Sequence, residues 1–134
     1  MDVNIRHNLG ETKIDYVVGL ESRGLIIGKM VADILKCGFI PARKAGKLPG
    51  PIHSEDYEKE YGIDTFSMQV KDLSGLNILL VDDIIATGGS FEAVIQIIKK
   101  FKGNVVGCLT LKEVESLRDI YLSKIKEKII VAVP

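Results

Sequence analysis

Cysteine is scarce: Cys37 and Cys108 lie far apart, each inside an apolar run. Two such cysteines read better as small buried hydrophobes in a reducing compartment than as a disulfide or a metal site. Net charge is also missing, because 18 basic residues balance 18 acidic ones. Without a global positive field the chain is not expected to bind nucleic acid. No apolar run reaches the roughly 20 residues that a membrane span needs. Met1 to Gly10 holds no apolar signal-peptide core. The expectation is a cytoplasmic protein with no membrane partner. Repeats and low-complexity segments are absent, and the only shift in composition is a Lys/Gly/Pro-rich stretch from Ala42 to Tyr61.

With 46% hydrophobic and 27% charged residues, burial can offset the entropy of ordering the chain. One core suffices for 134 residues, so residues 1–134 are expected to form a single domain. Ile14 to Leu20 is short, β-branched and contains Gly19, as in a strand buried on both faces. From Leu25, Ile27, Met30, Val31, Ile34 and Leu35 recur at helical spacing, and the pattern stops near Gly38. Phe39 to Ala42 and Thr65 to Val70 read as strands, with about twenty aperiodic residues between them. A structureless stretch of that length is usually a lid or a binding loop. Ile78 to Val81 is the clearest buried strand, Asp82 to Gly89 a turn, and a helix begins at Ser90. Val105 to Leu111 and Ile129 to Val133 complete the strands, with a short helix over Val114 to Leu122. Strands alternating with helices predict an α/β fold, a mostly parallel twisted sheet with helices on both faces. Ligands of such sheets sit beyond the carboxyl ends of the strands.

Val81-Asp82-Asp83-Ile84-Ile85-Ala86-Thr87-Gly88-Gly89-Ser90 runs from a buried strand through two acids and a small-residue turn into a helix. Gly88 and Gly89 let the backbone approach an anion, Thr87 and Ser90 offer hydroxyls, and the helix N-terminus favours negative charge. A ribose 5′-phosphate fits that chemistry. Asp82 and Asp83 can accept hydrogen bonds from ribose hydroxyls or face a Mg²⁺ that a diphosphate also binds. Each half alone is equally ordinary turn and cap chemistry; the combination after a buried strand is what points to a ligand.

The ten residues from Val81 to Ser90 resemble the phosphoribosyl pyrophosphate signature of the type I phosphoribosyltransferases, and the Ala-Thr-Gly-Gly-Ser form is most similar to the adenine-specific branch. Three further segments resemble that family in order and spacing. Gly19-Leu20-Glu21-Ser22-Arg23-Gly24 is similar to its pyrophosphate loop, and Arg43-Lys44-Ala45-Gly46-Lys47-Leu48-Pro49-Gly50 to its basic loop. Tyr57-Glu58-Lys59-Glu60-Tyr61-Gly62 resembles the tip of its flexible catalytic loop. The spacing of Gly19 and Gly24 is also P-loop-like, but Leu25 stands where that motif requires Lys.

The resemblance implies purine salvage: transfer of the 5-phosphoribosyl group from phosphoribosyl pyrophosphate to adenine, giving AMP and diphosphate. It implies that Ala86, Thr87, Gly88, Gly89 and Ser90 hold the 5′-phosphate and that Asp82 and Asp83 position the ribose. Glu21, Ser22, Arg23, Arg43, Lys44 and Lys47 would meet the diphosphate. Glu60, Tyr61 and Asp83 are the expected catalytic residues, with Glu60 protonating or hydrogen-bonding the purine. Mg²⁺ would be held chiefly through the substrate's diphosphate, with Asp82 as its protein contact. A homodimer, in which Arg43 reaches the partner's site, is implied too. The family carries a few dozen residues before its first strand, including a Pro/Phe-rich hood over the adenine, where this sequence has thirteen. Val3-Asn4-Ile5-Arg6 is faintly similar to one hood segment. The expectation is a wet base pocket, and apolar sheet surface left bare by the missing helix unless a partner or the long loop covers it. Two alternatives remain open: a non-catalytic nucleotide-binding module, and a transferase for another base.

Overall fold

Val17 and Val18 are neighbours in sequence, both fully buried, and belong to different hydrophobic cores. The same holds for Leu79 and Leu80. Successive residues of a strand point to opposite faces, so unbroken apolar runs require a sheet covered on both sides. The computed structural model, which describes residues 2–44, 59–62 and 66–132, has that architecture.

In chain order the elements are α1 (Asp2–Leu9), β1 (Tyr16–Leu20), α2 (Arg23–Leu35), β2 (Gly38–Lys44), β3 (Lys59–Gly62), β4 (Phe66–Val70) and β5 (Asn77–Ile85). They continue with α3 (Gly89–Lys100), β6 (Asn104–Glu113), a 3₁₀ turn (Glu115–Leu117), α4 (Arg118–Lys124) and β7 (Ile129–Val131). The seven strands of the described residues form one sheet in the order β3-β4-β2-β1-β5-β6-β7. β2, β1, β5, β6 and β7 run parallel, while β4 is antiparallel to β2 and β3 to β4. The α/β expectation therefore holds, with an antiparallel hairpin added at one edge. From β1 the chain steps to β2 on one side, and β5 lies on the other. The carboxyl ends of β1 and β5 thus flank a topological switch point, where open α/β sheets place their ligands.

One core packs Leu20, Leu80, Phe91, Val94, Ile98 and Tyr121 between the sheet and α3 with α4. The other packs Ile5, Val17, Val31, Leu79 and Leu109 between the sheet and α1 with α2.

Four expectations change. Residues 2–9, which carry no strong periodicity, form α1, whose Ile5 is fully buried against the sheet. The sheet surface expected to lie bare is covered there by Ile5 and Leu9, four residues apart on one helical face. Asp82 to Ile85 is strand rather than turn: β5 pairs with β6 as far as Ile85 opposite Glu113. The stretch from Ala42 to Tyr61 is not all loop, because β2 runs to Lys44 and β3 begins at Lys59. Finally, α2 ends on Lys36 in the left-handed region (φ 56°) and Gly38 opens β2.

Candidate functional site

The carboxyl end of β5 carries the residues that sequence reasoning singled out. Asp82 and Asp83 lie on the strand itself, Ala86 to Gly88 make the turn, and Gly89 and Ser90 open α3. Gly88 takes φ 89° as the helix N-cap and offers no side chain to the first-turn amides. The Gly89 N–H donates weakly to Thr87 Oγ1 at 3.3 Å. Amides of a first helical turn have no partner within the helix, so Ser90 and its neighbours present donors and the positive end of the dipole.

Facing this turn is the β1–α2 connection. The Glu21–Ser22 peptide is cis, and Arg23 starts α2. Gly24 allows the helix to begin this close to β5: a Cβ there would fall 2.9 Å from the Val81 carbonyl oxygen and 3.0 Å from Asp82 Oδ1. Arg23 Nε lies 3.5 Å from Asp83 Oδ2. Together Glu21, Ser22, Arg23, Lys44, Asp82, Asp83 and the turn Ala86–Ser90 line one cleft of about 370 Å³. Ile84, Ile85 and Phe91 complete its wall.

The expected diphosphate group divides. Arg23 and Lys44 both line the cleft and bring positive charge to it. Glu21 is already committed: its Oε1 accepts the Lys44 backbone N–H at 2.7 Å, and its own N–H donates to the Ala42 carbonyl at 2.8 Å. A carboxylate repels a diphosphate, and here it ties the loop to the end of β2 instead. Arg43 is exposed beside Lys44 on β2 but does not line the cleft. Lys47 lies outside the described residues. Glu60 and Tyr61 lie on β3, opposite Gln69 and Met68 of β4. Three strands, β4, β2 and β1, stand between β3 and β5. At a strand spacing of about 4.8 Å this separates the two by roughly 19 Å across the sheet.

Asp82 is the unusual acid. Burial, with the adjacent Asp83 carboxyl, pushes its pKa up to about 7, while the Asp83 N–H that donates to its Oδ1 at 2.8 Å and the charge of Lys44 oppose the shift. Near neutral pH the position is therefore part neutral, and a cation in the cleft would draw it to the ionised form. Among the described residues no group of three or more His, Cys, Asp or Glu is placed to hold a metal ion. The donors present, two neighbouring carboxylates, suit a hard cation that takes its remaining oxygens from a ligand.

Sequence reasoning missed Ile84, whose side chain is 47% exposed at the cleft. The signal was an apolar residue following two acids, legible only once β5 is known to continue past Asp83.

Comparison with known proteins agrees with this geometry. The profile of the family described as "Phosphoribosyl transferase domain" matches residues 3–131. A curated adenine phosphoribosyltransferase of Debaryomyces hansenii is 48% identical over 112 residues, covering 82% of this chain and 60% of that protein. The chain thus spans 60% of the length of that curated relative. Among solved structures, the adenine phosphoribosyltransferase of Saccharomyces cerevisiae, complexed with an imino-altritol bisphosphate and adenine, superposes with a TM-score of 0.82 at 34% identity. The match covers 98% of this chain and 73% of that one. The Rhodothermus marinus adenine phosphoribosyltransferase gives a TM-score of 0.76 at 38% identity, covering 98% of this chain and 77% of that one. With nearly its whole described length matched, the chain belongs to the phosphoribosyl transferase domain family, and its sequence and fold set it beside the adenine phosphoribosyltransferases.

Proposed function

We propose that the chain transfers the 5-phosphoribosyl group of phosphoribosyl pyrophosphate to N9 of adenine, giving AMP and diphosphate in purine salvage. The observation that carries this reading is one cleft in which a glycine turn at the N-terminus of α3, two acids, Arg23 and Lys44 converge. In this reading Ala86, Thr87, Gly88, Gly89 and Ser90 hold the 5′-phosphate by amides and hydroxyls. Asp82 and Asp83 accept from the ribose hydroxyls, and Arg23 exchanges Asp83 for the arriving diphosphate. Ser22, Lys44, Arg43 and Lys47 add to that anion site, while Glu21 braces it. As the bond from C1′ to the diphosphate oxygen breaks, the diphosphate leaves with the bonding pair, N9 bonds to C1′, and the N9 proton passes to solvent. Exposed Ile84 offers an apolar surface to a planar base. Mg²⁺, when bound, would neutralise the leaving diphosphate, with Asp82 as its nearest protein oxygen donor. Glu60 and Tyr61 join the site in this reading as the purine-facing acid and its neighbour.

The same proposal includes a cytoplasmic homodimer. No described helix is long and apolar enough to cross a membrane. The outer face of α2 exposes Ile26, Met30 and Ile34 at positions i, i+4 and i+8, an apolar stripe of the kind a subunit interface covers. A second reading, a nucleotide-binding module without turnover, is favoured by one observation: three strands stand between the backbone of Glu60 and β5.

The test is AMP formation by the purified chain with phosphoribosyl pyrophosphate, Mg²⁺ and each of adenine, guanine, hypoxanthine and xanthine. Adenine-dependent turnover is expected, falling about 100-fold or more in Asp83→Asn and in Glu60→Gln. Turnover with another base only would reassign the substrate. Thermal stabilisation by phosphoribosyl pyrophosphate with no product from any base would establish the binding module instead.

A further inference from the structure

The turn that would hold the phosphate is shaped from behind by residues that do not line the cleft. Gly88, at φ 89°, sits so close to α4 that a Cβ on it would meet Tyr121 Cβ at 2.8 Å and Ile125 Cδ1 at 3.1 Å. Tyr121 is 3% exposed, and its hydroxyl donates to Glu113 Oε2. Glu113 is the last residue of β6, stands opposite Ile85 in the register, and also accepts from Arg118 Nε at 3.1 Å. Beside it the Val114 N–H donates to the Ile85 carbonyl at 2.9 Å, immediately before Ala86. The turn is thus fixed at its start through β6 and at Gly88 through Tyr121. Glu113 is where the two supports meet.

We infer that Tyr121, held by Glu113, is a positioning residue that sets the Gly88 turn so that its amides converge on the 5′-phosphate of the substrate. The inference rests on the phosphoribosyl reading of the cleft. Amide donors aimed at an anion lose much of their effect when displaced by about 1 Å, so a turn backed by one side chain inherits that side chain's placement. Phe at position 121 keeps the ring and removes only its tether, and Ala at 113 removes the tether from the other side. Both variants remove the same Tyr121–Glu113 hydrogen bond, so that share of their effects should not add, whereas Glu113→Ala also removes the Arg118 contact.

The experiment is calorimetric binding of ribose 5-phosphate and of inorganic diphosphate to the wild-type chain, Tyr121→Phe, Glu113→Ala and the double variant, with thermal midpoints measured alongside. Expected is a three- to ten-fold rise in Kd for ribose 5-phosphate in each single variant, roughly what one hydrogen bond is worth. The double variant should be no weaker than the weaker single variant. Diphosphate affinity should not move, since that subsite is built in this reading by Ser22, Arg23 and the basic residues at and after the end of β2. In turnover, KM for phosphoribosyl pyrophosphate should rise with kcat preserved. Unchanged ribose 5-phosphate affinity in Tyr121→Phe overturns the positioning role. So does equal weakening toward both ligands, which would mean general loosening of the fold. A wild-type chain that binds diphosphate but not ribose 5-phosphate overturns the phosphoribosyl reading along with it, so the two failures are told apart.

Discussion

A carboxyl at position 82 sits where burial and a second acid both oppose its ionisation, which pushes its pKa up to about 7. A carboxyl whose pKa rises on folding binds its proton more tightly in the folded chain. Its contribution to stability is therefore fully present below about pH 4, the unfolded value, and is lost as the pH rises through about 7. Asp82→Asn keeps an oxygen to accept the Asp83 N–H and removes the titration. We expect the variant to gain on the wild type progressively from pH 5 to pH 8, by on the order of 1–2 kcal/mol at the upper end once solvent screening of a partly exposed group is allowed for. Urea midpoints across that range measure it, and a pH-independent difference would show that Asp82 does not titrate there. Substrate affinity should fall in the same variant, because a neutral amide holds a ribose hydroxyl or a cation less firmly than a carboxylate. A residue that raises stability when lost and lowers binding when lost is what a functional acid in a partly buried cleft should be.

At the level of elements, α1 is the test case. It meets the sheet through Ile5, fully buried, and Leu9, partly buried. Truncating Ile5 to Ala should leave a cavity in the core that α1 closes against α2, β6 and β7 and cost about 2–4 kcal/mol, read as a lower urea midpoint with an unchanged slope. A loss below about 0.5 kcal/mol would mean that α1 is not docked in solution. This helix was hard to see in the sequence because its two described apolar anchors are separated by charged and polar residues, and its stability comes from a sheet assembled by distant segments. β3 escaped for a related reason: four residues become a strand only by pairing with β4. By contrast Val81 to Ser90 stood out as a strand leading through a glycine turn into a helix, because those signals lie within ten residues, although the strand runs on to Ile85 where a turn was expected. The same distinction separates the site residues. Arg23, Asp83 and Thr87 announce themselves locally, whereas Glu21 acts on Lys44, 23 positions away. Ile84 also escaped, because its role depends on how far β5 runs.

Across the whole molecule, the cleft and the exposed stripe of α2 are joined by one rigid element. Ser22 and Arg23 line the cleft at the start of α2, and Ile26, Met30 and Ile34 follow along its outer face, 69%, 51% and 46% exposed. The Lys29–Asp33 pair, at 2.6 Å, borders that stripe with charge. Three large apolar side chains in line on one helix differ from hydrophobes scattered singly over a surface. Covering the stripe with a second copy would bury it and hold α2, and so Arg23, against the site. Sedimentation at tens of micromolar should therefore give about twice the mass of the 14.7 kDa chain. Met30→Glu places a charge at the centre of the stripe, where an isologous contact would bring it near its own copy. We expect that variant to sediment as a monomer, keep its helical circular dichroism, and bind diphosphate more weakly than the wild type. A wild-type monomer at those concentrations would remove the dimer from the proposal. A dimeric Met30→Glu variant would move the interface to another face and release α2 from any part in it.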